Sequence, residues 1–213
     1  MRTRALLASA ALLAIVTAAP ALARPVSCRI ITDARGDTTG LMPTDNSALP
    51  GSGTLPADPS LDILSADMAA NRRVVTAVIR VAQLGAHANT SPGASAYLVT
   101  FVINETRYTL YAMRDLTGDQ RFVLVDGQDV GTSGVPVSGT FDTVHNEVRM
   151  TAGFGDFAQL GALVTPGSRT MEIEAVTQRA LGAAGSYTFQ SADGAGGHVV
   201  YRFGTPSCVT PGR

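Results

Sequence analysis

The residues best placed to do chemistry in this chain are acids held in turns. Asp33-x-x-Gly36-Asp37-x-x-Gly40 sets two carboxylates four residues apart, among glycines that let the backbone curl round a point. Calcium takes about six to eight oxygens, drawn from carboxylates, backbone carbonyls and water. Asp62 opens the next apolar segment and adds a third carboxylate if that segment pairs beside the turn. The metal ligands expected from spacing are therefore Asp33, Asp37 and Asp62, around a structural Ca²⁺. The same residue types also make ordinary turns, because Asp bonds nearby backbone and Gly accepts positive φ.

A second acidic stretch, Asp115-x-Thr117-x-Asp119 with Asp126 further on, has part of the spacing of a calcium loop. It holds Gln120 where such a loop needs glycine, and no helical pattern flanks it, so a hairpin turn explains it better. Patterns for catalysis are sparse. Gly131-Thr132-Ser133-Gly134 lacks the spacing of a nucleophile elbow, and His87, His145 and His198 all lie in turn or Gly-rich contexts. Glu172 and Glu174 fall two apart, as a solvated strand face requires, although two carboxylates on one face also suit a glycosidase pair. The chain has no H-E-x-x-H, no phosphate loop and no C-x-x-C. No catalytic or organic-cofactor residue is assigned.

These residues must be positioned by strands. Apolar and polar residues alternate over Leu61–Ala66, Arg73–Ala82, Ala96–Asn104, Arg107–Arg114, Arg121–Asp126, Ser138–Thr143, Glu147–Ala152, Arg169–Arg179 and Val199–Phe203. Turn signals separate them, including Asn71-Arg72, Asn104-Glu105 and His145-Asn146. Ala96–Asn104 is apolar on both faces and reads as a central strand. In Arg169–Arg179, Met171, Ile173 and Ala175 are expected on one face against Glu172, Glu174 and Thr177. Phe154–Leu163 is the one candidate helix, with Asp156 as its cap and Gly161 as its end. The stretch between Arg179 and Val199 reads as a Gly/Ala loop. Residues 41–60, with Pro43, Pro50, Pro56 and Pro59 beside Gly51 and Gly53, read as a long loop. Short strands without alternating helices predict an all-β fold: one antiparallel β-sandwich, immunoglobulin-like or jelly-roll-like, with one short helix at most.

The first residues read as an address. Arg2 and Arg4 precede the apolar run Ala5–Ala19, and Ala21-Leu22-Ala23 supplies the small–x–small cleavage pattern. The expected organisation is a signal peptide over 1–23 and one domain over 24–213, secreted and extracellular. The apolar run is short for a bilayer span, and Arg24 and Pro25 before Cys28 do not suit a lipid-modified cysteine. In an oxidising compartment the only two cysteines, Cys28 and Cys208, most simply pair and join the ends of the domain. All 16 basic residues are arginines, against 17 acids, and neither sign forms a block. That excludes a nucleic-acid groove and a polybasic membrane patch as sequence-level readings. The Arg-only, Ala/Gly-rich usage matches high-GC bacterial coding.

Thr32-Asp-Ala-Arg-Gly-Asp-Thr-Thr-Gly40, then a Pro-rich loop, then Leu61-Asp-Ile63 and Ser65-Ala-Asp67, resembles the opening of secreted β-sandwich modules of the glucodextranase C-terminal type. These are grouped with DOMON-like domains and family 9-like carbohydrate-binding modules. The resemblance covers Thr32–Asp67. It implies an exported sandwich with an ion near the opening loop, acids at Asp33, Asp37 and Asp62, and a sugar-binding role. The motif's proline is Ala34 here, its loop tyrosine is missing, and the chain has no Trp to stack on a sugar. Tyr97, Tyr108, Tyr111, Tyr187 and Tyr201 are the remaining candidate platforms. The expected function is a secreted, non-catalytic, monomeric binding or structural module, calcium-stabilised, with an extracellular glycan or cell-envelope component as partner. The alternative is a secreted hydrolase with a site on loops carrying Ser133, Asp193 and His198.

Overall fold

A computed structural model describes residues 29–38, 58–85, 94–115, 117–127, 134–181, 188–197 and 199–212. The expected signal peptide, Cys28 and most of the 41–60 loop lie outside these residues.

The chain forms two antiparallel sheets that enclose a common core, a sandwich-like all-β fold. The five-stranded sheet has the order β1-β2-β3-β9-β8: β1 (Ile31–Thr32), β2 (Ile63–Ala70), β3 (Val74–Val81), β9 (Glu147–Gly153) and β8 (Ser138–Asp142). The other sheet runs β11-β10-β4-β5-β6-β7: β11 (Thr188–Gly197), β10 (Arg169–Leu181), β4 (Ser95–Ile103), β5 (Thr106–Arg114), β6 (Gln120–Asp126) and β7 (Val135–Pro136). A last short strand, β12 (Tyr201–Arg202), pairs with β10.

Period-two patterning explains which faces meet. Val75, Ala77, Ile79 and Val81 on β3 face Tyr97, Val99, Phe101 and Ile103 on β4 across one continuous buried cluster. β4 lies between β10 and β5, the central position its two apolar faces predict. Its other face, with Ala96 and Leu98, joins Tyr111, Val123 and Val125 in a second buried cluster. The one helix among the described residues, α1 (Phe154–Gln159), carries Phe157 into the core beside Phe101 and Tyr108. Asp156 accepts the Gly153 N–H at 2.6 Å, and Gly161 takes φ +79° just beyond the helix end.

The two sheets are joined where β7 passes into β8 through Val137 alone. Pro136 sits on the short outer strand of one sheet, where a missing N–H is tolerated. The Phe122 ring lies so close over Gly139 that a Cβ there would come within 2.2 Å of it.

Two strand expectations are corrected. The stretch beyond Arg179 contains a ten-residue strand, β11, which pairs along β10 from Leu181 to Ile173. β10 itself is irregular between Met171 and Glu174, where Glu172 takes φ +52°. That irregularity breaks strict alternation, so Met171 is exposed while Ile173, Ala175 and Thr177 are buried.

Candidate metal centre

The opening turn is fixed by backbone pairing on one side and by a carboxylate on the other. Ile31 and Thr32 pair with Ala66 and Ser65, and the Asp33 N–H then donates to the Leu64 carbonyl at 3.2 Å. The chain reverses through Gly36, whose φ of +84° suits a residue without Cβ. The Gly36 N–H donates to both oxygens of Asp62, each at 3.0 Å. Asp62 is buried, and through this contact it holds the turn.

Asp33 and Asp37 converge with Asp193, an acid expected in the alternative hydrolase site and not among the metal ligands. Asp33, Asp37 and Asp193 each bring a carboxylate oxygen within 4.8 Å of the others. Two oxygens on one calcium ion are at most about 5 Å apart, since each bond is about 2.3–2.6 Å. The spread therefore fits a single ion. Asp193 comes from β11, next to the point where its pairing with β10 slips between Thr177 and Gln178. A bulge of this kind turns a side chain out of its regular direction. Its Oδ2 accepts the Ile63 N–H at 2.7 Å and its Oδ1 the Gly194 N–H at 2.8 Å. Asp193 thus joins the start of β2 in one sheet to β11 at the edge of the other.

Among the described residues, no ion pair engages Asp33, Asp37, Asp62 or Asp193. Arg35 lies in the same turn but is exposed. Burial pushes the Asp193 carboxyl up to about 6, and the charges of Asp33 and Asp37 push the same way against two backbone N–H donors. Asp33 is also raised, first by burial and then by Asp37 and Asp62, with the Ala34 N–H opposing. Asp33 Oδ1 accepts that N–H, while Asp33 Oδ2 and the Thr38 hydroxyl are buried with no hydrogen-bond partner among the described residues. Buried polar atoms are normally satisfied, so two orphan oxygens in one turn are a specific departure.

The other candidates resolve differently. Asp115 Oδ1 accepts from the Thr117 N–H, the Thr117 hydroxyl and the Asp119 N–H, which makes it the organiser of the β5–β6 turn. Glu172 is exposed and pairs with Arg107 at 3.6 Å, and Glu174 is partly buried. Tyr97, Tyr108, Tyr111 and Tyr201 are at most 3% exposed and cannot serve as stacking platforms. Tyr187, Ser133, His87 and His198 lie outside the described residues. Comparison with protein-family models, curated proteins and solved structures finds no match.

Proposed function

We propose that the protein is a secreted, non-catalytic binding or structural module whose fold is locked by a calcium ion held by Asp33, Asp37 and Asp193. The observation that supports this is the convergence of three carboxylates from two sheets, with no cation paired to them among the described residues. Asp62 contributes by fixing the turn that carries Asp33 and Asp37, and its charge adds to the field that attracts a cation. A bound Ca²⁺ would supply charge neutralisation and coordination, and the chain would supply rigidly placed oxygens. The opening-loop pattern of the glucodextranase C-terminal and family 9-like carbohydrate-binding modules supports the same reading, with an immunoglobulin-like or jelly-roll-like sandwich and an extracellular glycan or cell-envelope partner. A Cys28–Cys208 bridge belongs to this proposal: Cys208 lies in the last described segment, and no free cysteine is found among the described residues.

A melting curve of the oxidised protein in excess calcium and then in chelator tests the reading. Saturation at a hundred times the dissociation constant stabilises by about 2.7 kcal/mol, a readable rise in Tm. An identical Tm in both conditions would leave Asp33 and Asp37 as turn residues. Retention on isolated cell wall, with and without chelator, tests the partner.

A further inference from the structure

The outer face of the five-stranded sheet carries a second polar site, built from residues that the calcium reading does not use. The C-terminal segment lies across this face: Val209 packs on Ala69 and Val78, and the Gly212 N–H donates to the Thr76 hydroxyl at 2.9 Å. Between this segment and the β8–β9 hairpin is an open groove of about 380 Å³, lined by Thr140, Asp142, His145, Glu147, Arg149 and Thr210. Its volume falls in the range of small-ligand sites, roughly 300–1,000 Å³.

The groove's polar groups are fixed by contacts within the protein. Glu147 is buried, and its Oε1 accepts from Arg80 Nε at 2.7 Å. Its Oε2 accepts from Nε and Nη2 of Arg149 at 2.9 and 2.6 Å. Arg80 is held in turn by Asp67. Asp142 Oδ1 accepts the N–H groups of Val144 and His145, and Asp142 Oδ2 lies 2.7 Å from His145 Nδ1. That contact turns Nε2, on the far side of the ring, away from Asp142. The bonds of Arg149 to Glu147 engage Nε and Nη2, and no described bond engages Nη1. A site ordered before binding loses less entropy when the ligand arrives.

The chemistry of the lining selects the ligand. Donors from Arg149 and acceptors from Asp142 and Glu147 are interleaved with two threonine hydroxyls and an imidazole nitrogen. An anion would face Asp142 and Glu147, and a cation would face Arg149. A neutral molecule rich in hydroxyls, each able to donate and to accept, matches every group. Among the described residues no Phe, Tyr or Trp lines the groove, so recognition would be by hydrogen bonds at ring edges. We propose that this groove binds a neutral, hydroxyl-rich ligand of the saccharide class. The proposal rests on the reading of the protein as a binding module.

The test is a ¹⁵N NMR titration of the oxidised, calcium-supplied protein with neutral oligosaccharides: maltohexaose, cellohexaose, xylohexaose and chitohexaose. The expected result is shift changes in residues 140–149 and Thr210 with at least one of them. His145→Ala and Arg149→Ala should each weaken that binding about tenfold, the loss of one hydrogen bond to a charged or imidazole group. Arg80 still pairs with Glu147 in the second variant, and His145 is exposed in the first, so both variants should keep the fold; melting curves check this. Binding elsewhere on the protein, unchanged by either variant, overturns the groove and leaves the module reading standing. No shift with any of the four overturns the groove and the glycan reading together, while the calcium-dependent Tm still judges the metal centre separately.

Discussion

Asp193 has two opposed effects, and they can be separated by substitution. Its carboxylate accepts two backbone N–H groups, yet it is buried beside Asp33 and Asp37 with no cation paired to it among the described residues. Its folded-state pKa of about 6 lies above the ordinary value of 3.8. Between those values the folded protein binds more protons than the unfolded one, so this group's contribution to stability is present at low pH and is lost as pH rises through about 6. In calcium-free buffer, wild type should therefore lose stability relative to Asp193→Asn between pH 4 and 7, read from paired urea melts. Calcium affinity should move in the opposite direction, strengthening over the same rise as the proton leaves. Asp193→Asn should abolish the calcium response while leaving an amide oxygen to accept the Ile63 N–H. Equal calcium responses in wild type and variant would remove Asp193 from the site.

At the scale of elements, the join between sheets and the buried pair at the end of the 41–60 loop carry the clearest stability predictions. A Cβ at Gly139 would meet the Phe122 ring at 2.2 Å and the Arg149 carbonyl at 2.6 Å, and a backbone atom cannot swing aside. Gly139→Ala should cost about 1–3 kcal/mol by overpacking, measured as a shift in urea midpoint. Arg179 pairs with Asp58 at 3.0 Å, and both side chains are buried. Asp58→Ala should cost about 3–5 kcal/mol, because it leaves a buried guanidinium uncompensated. Most elements were legible because their faces alternate cleanly: β3, β4, β5, β6, β8 and β9 lie where their patterns predict. β11 was not, because its sequence T-F-Q-S-A-D-G-A-G-G lacks an apolar face and reads as punctuation. Its strand state comes from pairing along β10, a tertiary effect that local propensity cannot show. The unexpected third carboxylate of the cluster follows from that. Asp33 and Asp37 were legible from four-residue spacing in one turn, whereas Asp193 is 156 positions from Asp37 and reaches them only because β11 forms. Asp62 was legible as a third carboxylate beside the turn, and there both its oxygens accept the Gly36 N–H.

Across the whole molecule, the proposed ion would act as a clamp between sheets. Asp33 and Asp37 follow β1 of the five-stranded sheet, and Asp193 belongs to β11 of the other. The same junction is bridged by the Ile63 N–H to Asp193 and by the Thr177 hydroxyl, which donates to the Leu61 carbonyl. The clamp would therefore stabilise the packing of the two layers as well as one loop. A Cys28–Cys208 bridge would add a second constraint by closing nearly the full length of the domain. Replacing both cysteines should lower stability by up to about 5 kcal/mol on the chain-entropy estimate, read from denaturant melts. The most direct measurement of the clamp is isothermal titration of chelator-treated protein with calcium, in parallel with Asp33→Asn and Asp193→Asn. The predicted result is a single site per chain in wild type and none in either variant, although the two acids sit on different sheets. Absence of heat in wild type, or equal binding by all three proteins, would contradict it.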